Sequence, residues 1–374
     1  MNEDKASRYH RLKRRSAVVS VGLTAGLLAG FLLSGCSSVV ADRSRLFAGS
    51  TGQGYSFVAV AVYVAVLASL HEIVTFPLAL YRGFVLERRY GLSSESFRVW
   101  LRDHLKAAAL GFVLGLAGAE VVYASLHLTT SWWWALSAAV FALVMVVLAK
   151  VAPLVLLPLF YRFTPLTRES LRSRLISLSE RAGVPVLGVY EWALGDKSRR
   201  ANAALVGTGA TRRIIVSDTL LAGYSDDEIE VILAHEIAHH VHRDILMGLA
   251  AEAALLVVAF LTAAAALVLW WEPLGLSAPT DVAGLPLLLL AGLAVSVAAT
   301  PCVNAMSRRN ERRADRYALE LTRQPAAFIS AMKRLGAQNL AEERPSRAVL
   351  WFFHTHPPIE QRIEAARSCK GMAA

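Results

Sequence analysis

Six stretches of the chain run apolar for about 20 residues or more, at roughly 16–35, 56–80, 107–127, 131–160, 245–271 and 282–304. A helix rises about 1.5 Å per residue, so about 20 residues cross the hydrocarbon core of a bilayer. Water does not reach that core, and each backbone N–H and C=O must find its partner within the segment. The six stretches therefore predict a mainly α, polytopic membrane bundle. The composition agrees: 55% of the 374 residues are hydrophobic and 18% are charged, too apolar a balance for one soluble core. Trp132, Trp133 and Trp134 open the fourth stretch, where an interfacial aromatic belt falls. Pro153 and Pro158 predict that this helix is tilted or broken.

The formal charge is +10, and the basic residues cluster beside apolar stretches. Lys5, Arg8, Arg11, Lys13, Arg14 and Arg15 precede the first, and Arg82, Arg88, Arg89, Arg98, Arg102 and Lys106 follow the second. Basic loops stay on the cytoplasmic side, so six spans with both ends inside fit the pattern. Arg43 and Arg45, in the loop at 36–55, are the discordant charges. No nucleic-acid recognition motif accompanies the positive charge, and nucleic acid is not an expected partner; the lipid bilayer is. Cys36, Cys302 and Cys369 lie too far apart for a metal-type or disulfide-type pattern.

The polar regions 161–244 and 305–374 flank a membrane hairpin at 245–304 and should face the cytoplasm together. The first reads as a helix near 166–182, strands at 186–192, 201–207 and 212–217 forming a small β-sheet, and a helix opened by Asp226, Asp227 and Glu228. The second reads as mainly helical. Spans fill 56–160, and residues 1–36 admit two readings. Either the first stretch is an uncut span, or Leu33-Ser34-Gly35-Cys36 ends a lipoprotein-type signal that leaves a lipidated Cys36.

Chemistry enters at His235-Glu236-Ile237-Ala238-His239. On a helix the two histidines lie one turn apart on one face and aim at a common point. Neutral imidazole is a zinc ligand at about 2.0–2.1 Å. Glu236 projects beside such an ion, where a carboxylate can take a proton from water and pass it to a leaving amine. A catalytic zinc needs a third protein ligand and an open position. Glu311 is the best candidate if the hairpin returns the chain to the same face. Asp315, one turn later, can accept a hydrogen bond from a ligand imidazole. His240 and His242 point off the ligand face, as solvated or interfacial side chains.

Around these residues the chain resembles the CAAX prenyl protease family, integral-membrane zinc endopeptidases. The resemblance rests on His235 to His239, on Glu311 to Asp315 after Ser307-Arg308-Arg309, and on Thr355-His356-Pro357-Pro358. Phe163-Thr164-Pro165-Leu166, Asn202-Ala203, Arg212 to Val216 and Asp218 to Leu221 extend it over about 55–365. It implies one Zn2+ per chain held by His235, His239 and Glu311, with Glu236 as general base. It implies that Asn202 and Ala203 lie on an edge strand that pairs with an extended protein or peptide substrate. It also implies His356 on the oxyanion, with Arg362 supporting substrate or oxyanion binding and His354 a bystander. An interior chamber is implied too, toward which the intramembrane Glu72, Glu120, Lys150 and Glu252 would point. Eukaryotic members have seven spans against the six counted here. The lipoprotein-like start and the short, Ala/Leu/Arg-rich chain suggest a bacterial inner membrane. Since bacteria are not expected to farnesylate proteins, the reaction class transfers and the prenyl substrate does not. A heat-shock-type quality-control protease and a zinc-domain sensor without turnover are the competing readings.

Overall fold

The structure, a computed structural model, describes residues 4–50 and 54–370. Helix α1 (Lys5–Leu33) reverses at Gly35, in the left-handed region with φ 76°, into α2 (Cys36–Phe47). Helix α3 (Phe57–Leu80) runs through a π-helical turn at Tyr81–Val85 into α4 (Leu86–Arg89). Gly83 in that turn lies against Trp100 of α5 (Phe97–Leu128), where a Cβ would come within 2.8 Å of the indole nitrogen. Helix α6 (Trp133–Phe160) completes this half. The membrane hairpin consists of α10 (Asp244–Trp270) and α11 (Leu285–Thr322).

Six helical stretches are long and apolar enough to cross a membrane, as the apolar runs predict. Most outrun those apolar windows. Helix α5 begins at Phe97 and α11 continues to Thr322, because Arg, Glu and Ala propagate a helix as readily as Leu does. Of the two readings of α6, tilted or broken, the break is absent. Pro153 and Pro158 each remove one amide from the helix, yet it stays continuous to Phe160. The six stretches surround a mostly apolar cavity of about 1310 Å³, whose lining includes Leu28, Val64, Phe112, Phe141 and Phe260. Glu72 borders this chamber as expected, but the other three intramembrane ionisable residues do not. Glu120 accepts from the Tyr55 hydroxyl, Lys150 borders a different groove, and Glu252 is exposed.

Between the two membrane portions lie β1 (Phe163–Pro165), α7 (Glu169–Arg181), β2 (Val189–Trp192), β3 (Ala203–Val206), β4 (Arg213–Ser217), α8 (Asp218–Gly223) and α9 (Asp226–Val241). The sheet order is β1-β2-β4-β3. Strand β2 pairs parallel with β4, Val189 facing Ile214, and the other two pairings are antiparallel. β1 is a strand that apolar patterning did not reveal, being three residues long. α12 (Pro325–Gln338), α13 (Arg347–Phe353) and α14 (Ile359–Lys370) close the chain. The core of this polar half joins Leu171, Leu175 and Leu178 of α7 to Ile214 and Val216 of β4, Ile229 and Leu233 of α9, and Phe328 of α12. Each such side chain contributes roughly 1.5–3 kcal/mol on burial, which fixes α9 between sheet and helices.

The distribution of charge is resolved as well. The basic first turns of α1 and the arginine-rich segment after α3 meet the polar half: Arg14 pairs with Glu342 at 2.5 Å, and Glu87, within that second segment, pairs with Arg200 at 2.7 Å. The discordant Arg45 is neutralised locally by Asp42 at 2.6 Å and Asp281 at 3.0 Å.

Candidate metal centre

The helix that carries the histidines is fastened before it reaches them. Ser225 caps α9, accepting from the Glu228 amide while its own amide donates to the Glu228 carboxylate at 2.9 Å. Asp226 and Asp227 add negative charge to the first turn, where the helix dipole is positive. One turn on, the buried Glu230 accepts from Arg174 at 2.6 Å, from Arg181 at 3.0 Å and from Gln324 at 3.2 Å. Ile229, Leu233 and Ile237 are fully buried on the core side. The remaining face presents His235 and His239, whose rings sit 5.0 Å apart at an interplanar angle of 90°.

Glu311 meets them from α11. Its Oε2 lies 3.2 Å from His235 Nε2, and its Oε1 lies 3.5 Å from His239 Nε2. Three donor atoms, one from each residue, fall within 4.8 Å of one another. Tetrahedral ligands at about 2.0–2.1 Å from a zinc are about 3.3–3.4 Å apart, so the observed spacing fits the ion. Glu311 Oε2 is also buried without a hydrogen-bond partner, a costly condition that a cation would relieve. A proton on His235 would relieve the same charge. Burial depresses the His235 pKa, but the Asp315 and Glu311 carboxylates outweigh it and hold it at about 9.

Each histidine has a carboxylate behind it. Asp315 Oδ1 lies 2.9 Å from His235 Nδ1, the position expected for the residue one turn after Glu311. Asp244 Oδ2 lies 2.8 Å from His239 Nδ1, a partner that the sequence did not disclose. These bonds leave both Nε2 atoms facing Glu311 and fix the tautomer each ring needs as a ligand. Arg362 on α14 donates to both oxygens of Asp315, through Nε at 2.8 Å and Nη2 at 2.5 Å, and Arg313 pairs with Asp244. The Arg362 guanidinium is thus committed to Asp315, with Nη2 3.4 Å from His235 Nδ1.

Glu236 sits within the same turn and makes no hydrogen bond or ion pair among the described residues. Burial lifts its pKa above the ordinary carboxylate range, against the pull of His235 and His239. A general base gains from a pKa raised toward the working pH. His356 reaches in from the loop before α14, its Nε2 3.3 Å from Glu311 Oε1 and its side chain 59% exposed. Thr355 Oγ1 lies 2.9 Å from His356 Nδ1.

Beside the helix runs β3, the last strand of the sheet, with one long side unpaired. Ala203 begins it, and Asn202 precedes it with backbone N–H and C=O both engaged by Ser217. Alternation along an antiparallel edge turns the Ala203 and Leu205 backbone groups to the open side. His240 already takes the Leu205 carbonyl at 2.9 Å, tying the strand to α9. His240 is therefore no solvated bystander, while His242 packs edge-on against Tyr317. His354 is engaged as well. Its ring lies 3.3 Å from Glu342, and its carbonyl accepts from Arg308 at 2.7 Å.

Two family models divide the chain between them. The model described as CAAX prenyl protease N-terminal, five membrane helices, matches residues 2–162, and that of peptidase family M48 matches 165–370. Within the first, the described residues supply four long helical stretches and the 12-residue α2, too short to cross a bilayer. An uncharacterized metalloprotease of Bacillus subtilis, YhfN, is 28% identical over 96% of this chain and 84% of its own. CAAX prenyl protease 1 of Saccharomyces cerevisiae is 32% identical over 47% of this chain and 39% of its own. The crystal structure of S. mikatae Ste24p superposes with a TM-score of 0.85 over 97% of this chain and 88% of that one, at 21% identity, and shows the same fold. The chain belongs to peptidase family M48, as a membrane-embedded zinc metalloprotease of the CAAX prenyl protease type.

Proposed function

We propose that the protein is an endopeptidase that hydrolyses bonds in extended segments of protein or peptide substrates at the cytoplasmic face of a bacterial inner membrane. The observation that carries this reading is the convergence of His235, His239 and Glu311 beside an unengaged Glu236. His235, His239 and Glu311 would hold one zinc per chain, which supplies Lewis acidity toward water and the scissile carbonyl. The substrate strand adds to the free edge of β3, pairing with the Ala203 backbone, with Asn202 at the end of the strand. Glu236 takes the proton of the attacking water and delivers it to the leaving nitrogen. His356, with its exposed ring over the site, donates to the oxyanion as charge develops. Arg362 acts through Asp315, holding the carboxylate that orients His235. The basic segments gathered on the polar half support the cytoplasmic placement.

The test is Glu236→Gln in membranes. The variant should keep its zinc and lose at least about 100-fold in cleavage of a peptide library, the contribution expected of a general base. Proteolysis retained by zinc-loaded Glu236→Gln would overturn the assignment of the base. A zinc-loaded wild type that cleaves nothing would point to a sensor instead. Comparing prenylated with unprenylated peptides reads the substrate class directly.

A further inference from the structure

Lys150 is the only charged residue in α6. It is exposed and has no carboxylate partner among the described residues. An ammonium on an apolar transmembrane helix is costly, and such groups characteristically serve a ligand or a path. Lys150 does not face bare lipid alone. It borders a groove of about 420 Å³ between α6 and α10, whose walls include Val146 and Ala149 on one side and Leu246 and Leu249 on the other.

The end of the groove is what gives it meaning. Val206, the last residue of β3, and the turn that follows it close the groove on the side of the polar half. That turn is built on Gly207, with φ 85° and a Cβ position only 2.5 Å from the Thr211 carbonyl oxygen, so the strand leaves the groove along a fixed path. A chain paired along the open side of β3 therefore passes from the strand edge directly into an apolar trough at the membrane boundary. The trough offers that chain apolar walls and a single unpaired cation.

Resting on the protease reading above, we propose that this groove docks the membrane-proximal apolar stretch of the substrate, with Lys150 pairing a carboxylate at the membrane boundary of that stretch. The enzyme's substrates are then membrane-anchored proteins bearing Asp or Glu where the anchor meets the extended, cleavable segment. Continuity with the strand edge favours a substrate carboxylate over a lipid phosphate, because a headgroup has no reason to sit at the end of β3.

The test uses the zinc-loaded full chain in phosphatidylcholine nanodiscs. Three anchored substrates differ only in a boundary residue, Glu, Gln or Lys, and each rate is divided by the same protein's rate on a soluble peptide of the same extended sequence. Wild type should prefer Glu over Lys by about tenfold in kcat/KM. Lys150→Glu should reverse the order, and Lys150→Gln should flatten it. Binding of the same anchored substrates to Glu236→Gln protein should show the same order without any cleavage, so a failed protease reading leaves the groove testable by itself. An order that Lys150→Glu does not change overturns the proposal. So does a preference that appears only when phosphatidylglycerol replaces phosphatidylcholine, which would assign Lys150 to lipid headgroups.

Discussion

Each histidine of the candidate site leans on a different carboxylate, Asp315 behind His235 and Asp244 behind His239. Asp315 lies four residues after Glu311 on the same helical face, so its role follows from periodicity. Asp244 lies five residues after His239, across the turn that ends α9 and starts α10, where Arg243 adopts φ 58°. That turn swings the chain back and aims Asp244 at His239, and no helical spacing predicts it. Replacing Asp244 by Asn should weaken zinc binding by about 10–100-fold while leaving the ligands in place. Chelator competition measures this, and excess zinc should restore the rate; an unchanged affinity would show that Arg313 and Asp244 serve packing alone. His235, Glu236 and His239 were legible in the sequence because their spacing is local to one turn. Glu311, on α11 across the hairpin, was a candidate only on condition that the hairpin returned the chain to the same face. Their supports were legible only where the same helix carried them.

Helix α11 is the element that joins membrane and chemistry. It crosses the apolar region, passes Pro301 and delivers Glu311 and Asp315 without a break. The change in composition near residue 304 suggested a domain boundary, but a helix stays continuous across a change of surface because its hydrogen bonds are internal. Continuity makes the site sensitive to register. Inserting one alanine after Val303 rotates everything beyond it by about 100° about the axis and should abolish zinc binding, while membrane insertion persists. Retention of stoichiometric zinc by that variant would show that α11 bends freely between span and site. Helix α1 is the counterpart at the other end. Its first turns are tied to α4, Tyr9 donating to Glu87 at 2.6 Å, and to the polar half, His10 Nε2 lying 2.7 Å from the Leu340 carbonyl. Cleavage before Cys36 would discard these contacts along with the Arg14–Glu342 pair. Intact-mass measurement of the membrane-extracted protein should therefore find the residues before Cys36 retained, which favours the uncut span over the lipoprotein signal.

At the scale of the whole molecule, the proposed metal site joins α9, packed in the core of the polar half, to α11, which runs from the membrane bundle into that same core. Loss of metal should not open it completely at neutral pH, because protonated His235 then faces the Glu311 and Asp315 carboxylates and substitutes for part of the ion's charge. The sign of the resulting pH dependence is fixed. The folded-state pKa of His235 without metal is about 9, raised from the ordinary 6.5. The protonated form is therefore favoured by folding, and its contribution is complete below pH 6.5 and disappears as pH rises through about 9. Metal binding displaces that proton and removes the dependence. Thermal unfolding followed in detergent should show the chelated protein losing several degrees between pH 6.5 and 9, with the zinc-loaded protein nearly level over the same range. Parallel curves for the two forms would mean that His235 carries no proton in the metal-free site, and that α9 and α11 are held together by packing around the histidines instead.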